Sequence, residues 1–193
     1  MRPVRQSIFT RRWFVSALGV CAAGAVSRPG TAQDLGPAAA TTPEERYVEL
    51  TSIHSRKTVR AVFRRGSEYD AASLEAFNDL LRDRRNGDMH AIDARLYDQL
   101  FDLARSAGVP PHYEVISAYR SPESNNKMSS RQGSGVAKKS LHMQGRAIDV
   151  RLRNFPTAKL RDLALAAKRG GVGYYERSDF VHLDTGRFRT WTG

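Results

Sequence analysis

Alternation of apolar and polar residues marks the start of the part of the chain that reads as folded. In Tyr47-Val48-Glu49-Leu50 and in Thr58-Val59-Arg60-Ala61-Val62-Phe63 the two kinds of side chain alternate, the period-two pattern of half-buried strands. Ser55-Arg56-Lys57 between them suits a hairpin turn. The period then changes. From Asp70 onward, Leu74, Phe77, Leu80 and Leu81 recur at helical spacing, and Ile92, Leu96, Leu100, Leu103 and Ala104 do so again, which predicts two helices. Gly108-Val109-Pro110-Pro111 stops the second, and Tyr113-Glu114-Val115-Ile116-Ser117-Ala118-Tyr119 predicts a strand. Another strand is expected at Ala147-Ile148-Asp149-Val150-Arg151-Leu152, then a helix over 157–168 stopped by Gly170-Gly171, then short strands at 173–175 and 180–184. Residues 121–140 are mostly Ser, Asn, Gly and Lys, with almost no large apolar side chain. They read as a long loop without secondary structure, of the kind that serves as a lid or binding loop.

Helices grouped early and short strands grouped late predict an α+β domain, with a central antiparallel sheet and helices packed on one side. No internal repeat is visible. Ahead of this domain, which the pattern starts near Arg46, the chain has two further parts. Residues 33–45 are rich in Ala, Pro and Thr without periodicity and read as a flexible tether. Residues 1–32 have the order of an export signal: Arg11-Arg12, an uncharged apolar run from Trp13 to Val26, then small residues Gly30 and Ala32 ahead of Gln33. The paired arginines resemble a twin-arginine signal. The apolar run has 14 residues, short of the roughly 17–25 that span a bilayer, so no transmembrane segment is expected in the mature protein. Leu18-Gly19-Val20-Cys21 departs from a lipoprotein box at bulky Val20, and lipidation of Cys21 is not expected.

Composition sharpens this division. The 193 residues include 31 Lys and Arg against 20 Asp and Glu, a formal charge of +11. Arg2, Arg5, Arg11, Arg12 and Arg28 lie in the leader, which has no acid, so the remainder carries a net of +6. Export and that modest excess argue against nucleic acid as partner and suit an anionic wall polymer. The single cysteine also lies in the leader, which excludes an intramolecular disulfide and a cysteine-built metal site. Any metal must be held by His and carboxylate.

Two of the five histidines sit at offsets that matter. Ile148, Val150 and Leu152 point to one side of their strand, so Asp149 points to the other, the open face if the first packs on the helices. In Asp179-Phe180-Val181-His182-Leu183-Asp184 the same rule puts His182 and Asp184 on one face. With His142 at the end of the polar stretch, two histidines and an aspartate make the ligand set of a catalytic zinc site that leaves its fourth position to water. Spacing alone also allows structural, hydrogen-bonded histidines. His54, His90 and His112 have no partner at ligand spacing and receive no role. Trp191 and Phe188 read as packing for a C-terminal strand.

Ser140-Leu141-His142-Met143-Gln144-Gly145-Arg146-Ala147-Ile148-Asp149, together with Phe180-Val181-His182-Leu183-Asp184-Thr185-Gly186, resembles the M15-like zinc peptidases, and more closely the murein endopeptidase K group. The likeness runs from about Leu80 to Trp191 and takes in Ser117-Ala118-Tyr119-Arg120-Ser121, Gly135-Val136-Ala137-Lys138-Lys139-Ser140 and Gly171-Val172-Gly173-Tyr174-Tyr175. It implies a hedgehog/D-Ala-D-Ala-peptidase-like fold and a Zn2+ ion on His142, Asp149 and His182. Zinc would activate water and polarise the scissile carbonyl, and a carboxylate would take the water's proton. Related zinc peptidases often place a Glu three residues before the last histidine. Here that position is Asp179, the first choice as base, followed by Asp184 and then by Glu176. The resemblance gives Arg120 a role in holding substrate and stabilising the oxyanion, and Ser140 is a further substrate contact. Lys127, Arg131, Lys138 and Lys139 would attract peptide carboxylates.

The expectation is therefore an exported, monomeric zinc metallopeptidase of the periplasm or cell envelope that hydrolyses peptide cross-links of peptidoglycan. The alternatives are a D,D-carboxypeptidase with the same site and an inactive zinc-containing wall-binding module. An open groove beside the metal would favour the endopeptidase, a closed-ended pocket the carboxypeptidase.

Overall fold

The computed structural model describes residues 42–131 and 137–193. The expected leader with Arg11-Arg12 and Cys21, the tether up to residue 41, and Gly135 and Val136 lie outside the described residues. Eight strands form one sheet: β1 (Glu45–Ser52), β2 (Thr58–Arg65), β3 (Glu68–Tyr69), β4 (His112–Ser117), β5 (Ala147–Leu152), β6 (Gly171–Tyr175), β7 (Phe180–Asp184) and β8 (Arg189–Thr192). Four helices accompany them: α1 (Ala71–Leu80), α2 (Arg95–Ala107), α3 (Pro122–Ser129) and α4 (Thr157–Ala167). The strand order is β3-β2-β1-β4-β5-β7-β6-β8. Among neighbouring strands, β1 with β4 and β6 with β8 run parallel and the other pairs are antiparallel. The α+β architecture of the hedgehog/D-Ala-D-Ala-peptidase type is thus present, with two parallel pairings added to the expected antiparallel sheet.

The period-two pattern does what it predicts. Val48, Leu50, Phe63, Tyr113, Val115, Ile148, Val150, Leu152, Val172, Val181 and Leu183 project from successive strands into one buried cluster. Phe77 and Leu80 of α1, Leu96, Leu100 and Leu103 of α2, and Leu160 and Ala164 of α4 close it from the other side. Truncating a fully buried leucine here, such as Leu100, would cost about 2–5 kcal/mol. The opposite sheet face is left for Asp149, Gly173, Tyr175 and His182.

Helix ends follow local chemistry. Asp70 caps α1 by accepting from the Ser73 N–H at 2.8 Å, and Gly108 ends α2 in the left-handed conformation, φ 69°. Two expectations are corrected here. Ile92 is buried but precedes α2, in an irregular segment where its N–H donates to Asn78. Gly170-Gly171 does not stop α4, because Lys168 takes the left-handed cap with φ 51° and Gly171 already belongs to β6.

A third correction bears on function. The expected structureless stretch 121–140 contains α3. Ser121 caps it by accepting from the Ser124 N–H, and Pro122 opens its first turn, where a missing N–H costs nothing. The helix is almost wholly polar, so it shows no apolar periodicity, and none of its residues joins the core cluster. Buried Asp83 anchors it, accepting from both the N–H and the hydroxyl of Ser121 at 2.9 Å. Among the described residues no helix is long and apolar enough to cross a membrane.

Candidate metal centre

The centre is built where three elements meet. Asp149 and His182 face each other across the β5–β7 pair. A single 3-10 turn, Leu141–Gln144, brings His142 onto the same face. Ser140 caps that turn by accepting the His142 N–H. Gly145 ends it at φ 63°, and a Cβ there would collide with the Ala91 carbonyl, so the turn can enter β5 only through glycine.

The three side chains converge. His142 Nε2 lies 3.2 Å from His182 Nδ1 and 3.4 Å from Asp149 Oδ1, and His182 Nδ1 lies 2.9 Å from the same oxygen. All three residues are buried. The outer ring nitrogens are already committed. His142 Nδ1 lies 2.6 Å from the Ala118 carbonyl, which can only accept, so that nitrogen carries the proton. His182 Nε2 lies 3.1 Å from the Asp184 carboxylate and donates to it. Neutral rings in these tautomers turn two nitrogen lone pairs and a carboxylate oxygen toward one point. Such an arrangement is repulsive without a cation. Tetrahedral zinc with Zn–N near 2.0–2.1 Å separates its ligand atoms by about 3.3 Å, close to the three distances here. The donor set fits the ion.

With no cation between them, the three groups attract through a shared proton instead. Burial works against ionisation of Asp149, but His142 and His182 overcome it and hold the carboxyl well below the usual range. Burial likewise opposes a charged His182, while hydrogen bonds to the carboxylates of Asp149 and Asp184 raise its pKa above the ordinary value.

Asp184 is not placed where a base must act. It has no exposed surface and is held by the Gly171 and Gly186 N–H groups at 2.9 and 2.8 Å and by both terminal nitrogens of Arg189. Its free valence is spent orienting His182. Asp179 is also directed elsewhere. It closes the β6–β7 turn with a left-handed backbone, φ 50°, and its carboxylate accepts from Thr157 at 2.5 Å and lies 3.4 Å from Arg151 Nε. Three residues from His182 is also an odd offset, which strand alternation assigns to the opposite face, so the side chain stays at the end of the sheet. Glu176, in the same turn, is exposed and does not line the cleft.

A cleft of about 730 Å³ contains the centre. It crosses the sheet from β4 through β5, β7 and β6 to β8, with Ile116 and Ser117 at one side, Asp149 and His182 in the middle, and Tyr175 and Trp191 at the other. Asp149 is the one side-chain carboxylate among its described lining residues. Arg120 lines it too, 7% exposed, its Nη1 bonded to Asn125 at 3.3 Å and its buried Nε without a partner among the described residues. Burial pushes this guanidinium's pKa down, and Asp149 opposes that. Ser140 also lines the cleft, so the structure gathers His142, Asp149, His182, Arg120 and Ser140 and leaves out Asp179, Asp184 and Glu176.

Other residues in the cleft had no place in the sequence reading. His54, given no role, lines the β4 end with Arg84 and Arg85. Trp191 packs over Gly173, its ring 5.0 Å from that of His182, and its indole donates to the Tyr175 hydroxyl at 3.0 Å. A Cβ on Gly173 would come within 2.5 Å of the indole. A glycine inside a strand is the signal that could have shown this close approach.

The fold and the centre place the chain among the M15-like peptidases. Residues 40–191 match the family described as peptidoglycan L,D-endopeptidase MepK, and the chain belongs to that family. It is 40% identical to the peptidoglycan L,D-endopeptidase MepK of Escherichia coli K12, over 91% of this chain and 93% of that protein. The protein of the same name from Shigella flexneri gives the same values. The probable peptidoglycan L,D-endopeptidase MepK of Haemophilus influenzae is 35% identical over 95% of each chain. No solved structure matches.

Proposed function

We propose that the protein is an exported zinc-dependent endopeptidase that hydrolyses peptide cross-links of peptidoglycan. The observation that carries this reading is the convergence of His142 Nε2, His182 Nδ1 and Asp149 Oδ1 in the middle of a cleft that continues past them on both sides. A cleft passing the centre suits a bond in the interior of a cross-link, whereas a carboxypeptidase wants a closed end. The names of the relatives and the basic, acid-free leader support the substrate and the export.

A zinc ion held by these three residues would supply Lewis-acid polarisation of the carbonyl and activation of water. The rest falls to the chain's own groups. Arg120 lines the cleft and offers its guanidinium to the carbonyl oxygen as negative charge develops there. Tyr175 accepts from Trp191, so its own O–H proton is left to point into the cleft, where it can donate to the same oxygen or to the peptide.

Digestion of purified peptidoglycan by the mature protein, with and without chelator and with zinc restored, tests the reading. Cross-linked fragments should disappear only in the zinc-loaded sample. That no side-chain carboxylate besides Asp149 is among the described lining residues favours one rival, a zinc-containing wall-binding module without activity. Intact cross-links in the zinc-loaded digest, with the protein retained on the wall polymer, would establish that rival instead.

A further inference from the structure

The β4 end of the cleft carries positive charge that bond breaking does not use. Arg84 and Arg85 line it beside His54, and Lys139 and Arg120 line the same cleft. Arg84 and Lys139 make no ion pair to a described residue. Arg85 has only Asp83, at 3.7 Å. The Asp83 carboxylate is committed to the Ser121 N–H and hydroxyl and to the Arg85 N–H. Burial, and then the like charges of Arg84 and Arg131, push the Arg85 guanidinium's pKa down. Arg120, with its buried and unpartnered Nε, extends the same cationic wall toward Asp149.

The scaffold holds this end rigidly. Asp83 is fully buried, and the turn after it is closed by the Gly87 N–H on the Asp83 carbonyl and the Asp83 N–H on the Asp88 carbonyl, both at 2.8 Å. Through Ser121 the same carboxylate ties that turn to the residue following Arg120. Arginines gathered so, with one buried carboxylate beside Arg85 and no ion pair from Arg84 to a described residue, suit a further carboxylate, which a guanidinium holds through paired, charge-assisted hydrogen bonds.

We propose that Arg84 and Arg85 form a subsite for a free carboxylate of the cross-linking peptide, next to the bond that is cut. This rests on the endopeptidase reading. Diaminopimelate carries a carboxyl group on each of its two amine-bearing carbons, so an amide made on its second amine leaves a carboxylate on the carbon that bears the nitrogen. A cross-link of that chemistry therefore presents a negative charge within a few bonds of the scissile amide.

The test uses a purified muropeptide dimer cross-linked through diaminopimelate, with its free carboxylates intact or amidated, and the zinc-loaded mature protein. For the wild type, amidation should lower kcat/KM by about tenfold, the size of one charge-assisted hydrogen bond in a half-exposed site. In the Arg84→Gln/Arg85→Gln variant that ratio should fall to within about twofold, with zinc content per chain at the wild-type value. Equal cleavage of both dimers by the wild type, or an undiminished ratio in the variant, overturns the proposal. Binding of both dimers is measured in parallel by calorimetry. If the wild type cleaves neither dimer, the endopeptidase reading fails, and the same ratio taken from the binding constants decides the subsite separately.

Discussion

His182 Nε2 lies 3.1 Å from the carboxylate of Asp184, two residues further along the same strand. Asp184 receives four further hydrogen bonds, from Gly171, Gly186 and Arg189, and so cannot turn away. This bond determines which ring nitrogen of His182 keeps its proton, and hence that Nδ1 faces Asp149 and His142. Asp184→Asn should leave the fold intact and lower zinc affinity by about 10–100-fold, measured by equilibrium dialysis against a zinc buffer.

Removing a ligand should have a larger effect than removing its support. His142→Ala should bind no stoichiometric zinc and cleave no peptidoglycan, with metal content read by elemental analysis. Full zinc occupancy in His142→Ala would show that the ion sits elsewhere.

Asp179 and Arg120 should separate in a kinetic comparison. Asp179→Asn alters a carboxylate that holds Thr157 at the end of the sheet, and turnover should stay within about threefold of wild type. Arg120→Gln removes a guanidinium that lines the cleft, and kcat should fall by about 10²–10³ with unchanged zinc. A collapse of turnover in Asp179→Asn would return the base to that residue.

Gly173 lets the Trp191 ring lie on the sheet next to His182. Gly173→Ala should push the indole off its place, break its bond to Tyr175 and lower kcat more than it raises KM. The only other tryptophan, Trp13, lies in the expected leader. Fluorescence of the mature protein therefore reports Trp191, and its emission should shift to the red in the variant.

Asp83 gives the fold an acid limit. Burial opposes its charge, but hydrogen bonds from Ser124, Arg85 and Ser121 outweigh it and hold the carboxyl below the usual range. A depressed folded-state value means that the ionised group stabilises the fold above its unfolded value of about 3.9, and that this is lost as pH falls through the folded value. Asp83→Asn should cost about 1–3 kcal/mol at pH 7. It should also show a shallower loss of thermal stability than wild type below about pH 4, followed by calorimetry.

Much of the fold is legible in the chain because it is local. The alternation in 47–50, 58–63 and 147–152, the helical spacing after Asp70 and the glycine at 108 each reflect contacts a residue makes with near neighbours or with one buried side. The S-x-H-x-x-G-x-A-x-D segment and His182 likewise point to the metal centre through residue type, since the one cysteine, Cys21, lies in the expected leader and leaves His and carboxylate to hold a divalent ion.

Tertiary structure decided what depends on distant pairs. α3 forms in a segment without apolar periodicity because Asp83, 38 residues away, holds its cap. Asp179 was the first choice for the base by resemblance to related zinc peptidases, yet its left-handed φ sets it in the turn at the end of the sheet, where its carboxylate meets Thr157 and Arg151. Arg84 and Arg85 look like an ordinary charged turn until the same Asp83 carboxylate sets them at the mouth of the cleft. Periodicity records which side of an element is buried. Which charged groups meet on the exposed side is set by long-range hydrogen bonds, and these leave no period in the sequence.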